Sequence, residues 1–235
     1  MTDKKKTVII TGGTGALGSR VAARFLEEGY NVFIGDLNED NILKMAESSG
    51  GKLKGCSVNL MDEKSVIAMT DRAVKEFGSI EVLINTVGGW TGGKDISETD
   101  LGDLEKMINL NLKTAFLSCK HAFAHMKKNK SGCILNIGSI AANSNSATTA
   151  PYAASKAAVI SLTRAIAEEG KVYGITANSL LPAMLDTPAN RAGMPDADFS
   201  KWVKPDDIAN LMLHLASDSG KAISGEAISV PGGQL

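Results

Sequence analysis

The sequence predicts a doubly wound α/β fold, a seven-stranded parallel sheet with helices on both faces. Short β-branched runs alternate with longer segments of helical period, the pattern that βαβ units leave in a chain. The 235 residues suit one large α/β domain and suffice to bury a substantial core. No internal repeat and no Gly/Ser linker divides them, so a single domain over residues 1–235 is expected. Strands are expected at 7–11, 31–35, 52–58, 81–85, 133–139, 174–180 and 226–230. Helices are expected at 16–28, 63–77, 103–126, 152–168 and 206–217. In the first of these, Leu17, Val21 and Phe25 fall on one face, and each helix should return to the sheet by a right-handed crossover.

Composition narrows the function classes. With 43% hydrophobic and 22% charged residues, the chain reads as globular rather than disordered or fibrous. A formal charge of −1 supplies no field to gather a polyanion, so nucleic acid is not an expected partner. No stretch approaches the roughly 20 apolar residues of a membrane helix. Lys4, Lys5 and Lys6 lead into an apolar run too short for a signal core and read as a solvated tail, which points to a soluble, cytoplasmic protein. Cys56, Cys119 and Cys133 lie far apart without a C-x-x-C pair, as idle thiols do in a reducing compartment. His121 and His125 stand four apart without a third ligand nearby, so a solvated helix end is expected rather than a metal site.

Directly after the first strand comes Thr11-Gly12-Gly13-Thr14-Gly15-Ala16-Leu17-Gly18, then a helix. Gly13, Gly15 and Gly18 satisfy G-x-G-x-x-G in the strand-turn-helix setting of a Rossmann dinucleotide site. A β-carbon there would obstruct the turn, the pyrophosphate or the packing of helix on strand. The helix N-terminus offers N–H groups and partial positive charge to phosphates. Asp36 closes the second strand 18 residues past Gly18, where a carboxylate accepts hydrogen bonds from the adenosine ribose hydroxyls. A 2′-phosphate would meet that charge, and Leu37 and Asn38 bring no cation to offset it. NAD(H) is therefore preferred over NADP(H); the competing reading of Asp36 is a helix cap in an Asp-Leu-Asn turn.

Tyr152 and Lys156 are one helical turn apart in Pro151-Tyr-Ala-Ala-Ser-Lys and project from one face. A free phenol titrates near pH 10 and is a poor base at neutral pH. An adjacent ammonium, with the positive charge of an oxidised nicotinamide, is expected to lower that value by about 2 to 3 units. The phenol then serves as a general acid or base. Ser139 is expected to end the fifth strand, on the same carboxyl edge of the sheet, thirteen residues before Tyr152. Between Pro182 and Pro205 the alternation breaks. Four prolines, with Met184, Met194, Phe199 and Trp202, read as a substrate lid over about 183–204, against an alternative of an inert packed excursion.

These features together resemble the short-chain dehydrogenase/reductase family over essentially the whole chain. The resemblance rests on the glycine turn, Asn85-Thr86-Val87-Gly88, Asn111, Ser139, Tyr152-x-x-x-Lys156, and Pro182 with Thr187-Pro188. It implies that Ser139 orients the substrate oxygen and Tyr152 transfers the proton. Lys156 would bind the nicotinamide ribose and lower the Tyr152 pKa, Asn111 would hold a relay water, and Thr187 would meet the carboxamide. Implied cofactor contacts run through the turn from Gly12 to Gly18, then Asp36, Asn59, Leu60, Asn85, Gly88, Tyr152, Lys156, Pro182 and Thr187. The chain departs from the family pattern at Ala16, Asn59, Thr86, Val87 and Ala183.

Segments 12–20, 87–93 and 185–202 are similar to dihydropteridine reductases, a branch of that family. This opens a second substrate class, a quinonoid pterin reduced by NADH, with Trp90 stacking on a flat heterocycle and Met184 and Trp202 beside it. Dihydropteridine reductases lack the catalytic serine that Ser139 supplies here, so a small carbonyl or alcohol substrate stands beside the pterin. A non-catalytic dinucleotide sensor would need only the glycine turn, and a scaffold protein not even that. The small residues Ala153, Ala157, Ala158, Ser161 and Ala165 after Tyr152 permit close helix contact, and the resemblance implies a homodimer or homotetramer.

Overall fold

The computed structural model describes residues 5–144 and 147–233; Lys4 of the lysine run lies outside the described residues. Seven strands, β1 (Thr7–Thr11), β2 (Asn31–Asp36), β3 (Leu53–Ser57), β4 (Val82–Asn85), β5 (Gly132–Ile137), β6 (Ile175–Pro182) and β7 (Ala227–Val230), form one sheet. Its order is β3-β2-β1-β4-β5-β6-β7, with every neighbouring pair parallel. The winding reverses between β1 and β4. Connections leaving those two strands diverge, and a crevice opens at their carboxyl ends.

Strand residues alternate between two cores. In β1, Val8 and Ile10 join Ile34, Leu135 and the residues of α1 (Ala16–Glu27) and α9 (Pro205–Ala216) on one face. Ile9 points the other way, with Phe33, Leu83 and Ile134, toward α3 (Glu63–Phe77) and α5 (Thr114–Asn129). Both faces are covered, which is why these strands read as nearly unbroken apolar runs. The helix α2 (Glu39–Glu47) was not expected. It buries only Ile42 and is started by Asn38, whose side chain accepts the Asn41 N–H, so its apolar stripe is too thin to register as a period.

The expected helix over 103–126 is a composite. An α-helical turn, α4 (Leu101–Met107), runs into a π-helix (Ile108–Lys113) and then into α5. The wider π turn rotates the residues within it relative to an α-helical frame, and it carries Asn111 into the interior, where it is buried. The histidines expected at a solvated helix end instead lean on α3. His121 Nε2 is 2.9 Å from Glu63 and His125 Nε2 3.3 Å from Asp71, and both rings are largely covered. Cys119 and Cys133 are buried free thiols, pushed up to about 12 and about 11 by desolvation.

The glycine turn is held by backbone contact. Gly12 takes a φ of 69°, which lets its carbonyl swing under the first turn of α1. A Cβ built on Gly18 would lie 2.2 Å from that carbonyl oxygen. The obstacle is backbone and cannot swing aside, so Gly18→Ala is expected to lower the unfolding free energy by about 1 to 3 kcal/mol. Urea denaturation measures this, and an unchanged midpoint would refute so close an approach.

Candidate active site

A cleft of about 350 Å³ opens at the carboxyl edge where the winding reverses. Gly12, Thr14 and Gly15 after β1, Asp36 at the end of β2, Asn59 and Leu60 after β3, and Gly88 after β4 line it. The N-terminus of α1 faces this region with no side-chain cap and no acidic residue in its first turn. Uncapped N–H groups beside a glycine turn fit a pyrophosphate. Gly13 packs on Ile34, where a Cβ would come within 2.8 Å of that side chain. The residues present therefore fit a dinucleotide.

Asp36 is not idle in the free protein. Its Oδ2 accepts the Thr14 N–H at 3.0 Å and the Thr14 hydroxyl at 2.8 Å, and its Oδ1 accepts the Leu37 N–H at 2.7 Å. The carboxylate thus braces the glycine turn from the neighbouring strand, while the cap of α2 is Asn38. Asn59 spends its Oδ1 on the Met61 N–H, which leaves its amide N–H₂ as the donor it presents.

The second cluster abuts the far end of the cleft. A Cβ on Gly88 would stand 2.9 Å from Asn111 Oδ1 and 3.1 Å from Lys156 Nζ, so the absent side chain makes room for both. Tyr152 lies in the first turn of α7 (Ala150–Gly170), which Pro151 opens, and Lys156 follows one turn later with its Nζ 6.0 Å from the Tyr152 ring centre. Lys156 is buried, and its ammonium donates to the Ile137 carbonyl at 2.8 Å. Ser139 stands two residues beyond β5 rather than on it, because the strand ends at Ile137. It is buried, accepts the Ala141 N–H at the start of α6 (Ala141–Ser144) at 3.2 Å, and draws the Tyr152 pKa down against burial.

The electrostatics differ from the expectation. Burial raises the Tyr152 pKa above its ordinary value, and the hydrogen bond with Ser139 acts in the opposite direction. Burial also pushes the Lys156 ammonium down to about 8. Burial thus acts on the phenol against the lowering expected from the ammonium and an oxidised nicotinamide together.

Asn111 clamps the loop after β4. Its Oδ1 accepts the Gly89 N–H at 2.8 Å, and its Nδ2 donates to the Gly89 carbonyl at 3.1 Å and to Ser155 Oγ at 2.9 Å. Ser155 passes the contact on by donating to the Tyr152 carbonyl at 2.8 Å. Neither Gly89 nor Ser155 was singled out in the sequence; the only signal was that Ser155 lies three residues after Tyr152, on the same helix face. Asn85 is buried in the sheet, Pro182 ends β6, and Thr187 caps the short helix α8 (Pro188–Gly193) by accepting the Asn190 N–H.

Among the residues read as substrate contacts, Trp90 is 60% exposed and lies over Gly92, whose Cβ would meet its ring at 3.0 Å. Met184 is partly exposed. Trp202 is buried and packs edge-on against Phe199. The excursion after β6 is closed at its base, since Leu185 bridges Val203 and the Val203 N–H donates to the Met184 carbonyl at 2.8 Å. These contacts make Trp202 a packing residue of the excursion.

The buried lysine has a consequence for stability. Its folded pKa of about 8 lies below the 10.5 of an unperturbed lysine, so between those values the unfolded chain binds more protons and stability rises with pH. Relative to Lys156→Met, the wild-type protein is expected to gain roughly 2 to 3 kcal/mol between pH 7 and pH 10. Urea unfolding of both proteins across that range measures the difference. A difference that stays flat would contradict the burial of a titrating amine.

Comparison with known proteins shows the family. The family model described as short chain dehydrogenase matches residues 6–197. Cis-4-hydroxycyclohexanecarboxylate dehydrogenase of Sinomonas cyclohexanicum is 32% identical, over 97% of this chain and 96% of its own. The 3-oxoacyl-(acyl-carrier-protein) reductase of Thermotoga maritima is 29% identical, over 97% of each chain. The solved structure of ElxO with NADP bound superposes with a TM-score of 0.91 at 30% identity, over 97% of this chain and 98% of that one. The chain therefore belongs to the short-chain dehydrogenase/reductase family of oxidoreductases.

Proposed function

We propose that this protein is an NAD(H)-dependent oxidoreductase that exchanges hydride between nicotinamide and a small carbonyl or alcohol substrate. The observation that carries the reading is Tyr152 in the first turn of α7, one turn before a buried Lys156 that is fixed on β5 two residues from the buried Ser139. The glycine turn from Gly12 through Ala16 and Leu17 to Gly18 would hold the pyrophosphate. Asp36 would hold the adenosine ribose, Asn59 and Leu60 the adenine, and Gly88, Pro182 and Thr187 the nicotinamide end. The bound nicotinamide supplies or accepts the hydride.

The residues of the chain manage the proton. Ser139 directs its hydroxyl at the substrate oxygen and Tyr152 donates to it. A phenol whose pKa is held up by burial stays protonated at neutral pH, which suits it to act as the acid in reduction. Lys156, fixed on Ile137, bears on the cofactor ribose, and Asn111 keeps the loop after β4 in place with a water for proton return. Trp90 and Met184 form an apolar rim beside the entrance, under an excursion acting as a substrate lid over 183–204.

Carbonyl chemistry is preferred over a quinonoid pterin because Ser139 is present and buried beside the phenol, where a carbonyl oxygen needs a donor. A catalytic protein is preferred over a sensor because the Ser139, Tyr152 and Lys156 cluster is assembled. Ala157, Ser161 and Ala165 leave one edge of α7 exposed and small, which supports pairing of two copies into a homodimer or homotetramer.

Tyr152→Phe is expected to lower kcat for ketone reduction by at least about 100-fold while NADH affinity and the melting temperature stay unchanged. With wild-type protein, reduction should fall only on the alkaline side and oxidation should climb toward it, because one direction needs the phenol and the other the phenolate. A panel of cyclic ketones, 3-oxoacyl thioesters and quinonoid dihydropterin decides the substrate, and turnover of the pterin alone would overturn the carbonyl reading. For the cofactor, kcat/KM with NADH is expected to exceed that with NADPH by at least about tenfold, and Asp36→Ala should erase most of the difference. Equal use of both cofactors by the wild-type protein would refute the role of Asp36.

A further inference from the structure

The parallel register sets Thr11, Asn85, Asn136 and Ser179 side by side across four adjacent strands, the first three at or next to the carboxyl ends of theirs. All four face the core beneath α5 and α7, and all are buried. Three of them form an unbroken, directed run. The Thr11 hydroxyl donates to Asn85 Oδ1 at 3.0 Å, Asn85 Nδ2 donates to Asn136 Oδ1 at 2.8 Å, and Asn136 Nδ2 donates to Thr163 Oγ1 at 2.8 Å. Thr163 then gives its own proton to the Val159 carbonyl at 2.7 Å. The Cys119 thiol, 3.6 Å from Asn136 Oδ1, fills a further position on that oxygen.

We propose that Asn136 and Thr163 are positioning residues, which fix where α7 carries Tyr152 and Lys156 along the edge of the sheet. The proposal rests on the oxidoreductase reading above. Lys156 and Thr163 are seven residues apart, two helical turns on one face of α7 and roughly 10 Å along its axis. They reach adjacent residues of β5, the Ile137 carbonyl and the Asn136 amide. A helix fastened at two points cannot slide or turn on its apolar bed. Apolar packing alone is non-directional and would allow both motions. Stability alone does not account for the polar pair, since one buried hydrogen bond contributes only about 1 kcal/mol net. What the directed bonds add is an axial setting for the helix, and a misplacement of about 1 Å at a reacting centre can cost about 100-fold in rate.

The test separates position from stability. Thr163→Val keeps the shape of the side chain and removes the acceptor, leaving the Asn136 N–H unpaired. It is expected to lower kcat about tenfold with KM for NADH within about twofold of wild type. Thr163→Ser keeps the hydroxyl and should stay within about twofold in kcat. The double variant Asn136→Leu/Thr163→Val also takes the acceptor from the Asn85 amide, so by urea unfolding it should be no more stable than the single variant, and it should not recover kcat. A double variant with wild-type turnover, or Thr163→Val with unchanged kcat, would overturn the proposal. If the wild-type protein reduces no oxo compound, the functional reading fails, and the positioning claim is judged on the Tyr152 ring carbon by NMR. That phenol should titrate at least about half a pH unit away from wild type in Thr163→Val and not in Thr163→Ser; an unmoved titration would overturn the proposal on its own.

Discussion

The hydrogen bond from the buried Lys156 ammonium to the Ile137 carbonyl is the constraint on which the site depends. An ammonium removed from water is costly, and here the cost appears as a pKa pushed down to about 8. The contact fastens α7 to β5, an interior strand of the sheet, and sets the amine beside the space that Gly88 leaves open. Tyr152 lies one turn earlier on the same helix, and Ser139 two residues beyond the carbonyl that Lys156 holds.

The surrounding elements converge on that edge by different physical means. Reversal of the sheet order opens the cleft, and the uncapped start of α1 supplies its donors. Asp36 joins the two halves of the dinucleotide region by accepting from Thr14. A π turn carries Asn111 inward, where it holds both backbone groups of Gly89 and reaches α7 through Ser155. Thr148, in the segment before Tyr152, holds a positive φ of 60° and accepts the Gly93 N–H at 2.8 Å. That bond ties the loop after β4 to the loop after β5.

Much of the fold was legible because parallel strands buried on both faces leave short, dense apolar runs, and all seven fell within two residues of their expected bounds. The glycine turn and the Tyr-Lys pair were legible because their chemistry requires fixed spacings. What was not legible depends on three-dimensional context. Nothing in the residues around Asn111 marks a π turn, since helix type there follows from packing rather than local propensity. Trp202 and Trp90 look alike in sequence, yet one packs against Phe199 and the other stands exposed. The Tyr152 pKa is expected to fall beside an ammonium and an oxidised nicotinamide, and burial, which spacing does not reveal, acts in the opposite direction. Thr11, Asn85 and Asn136 each looked like an ordinary strand end until the register placed them in line.

The central claim is that the phenol and the ammonium on α7 stand where proton and hydride reach one carbonyl group. The most direct measurement follows the label from NADH carrying deuterium at the transferable position of C4 during turnover of an accepted ketone. The account predicts one deuterium on the carbinol carbon per NADH consumed. Tight binding of NADH with no label transferred to any oxo compound or pterin would contradict it and leave a protein that only senses the dinucleotide.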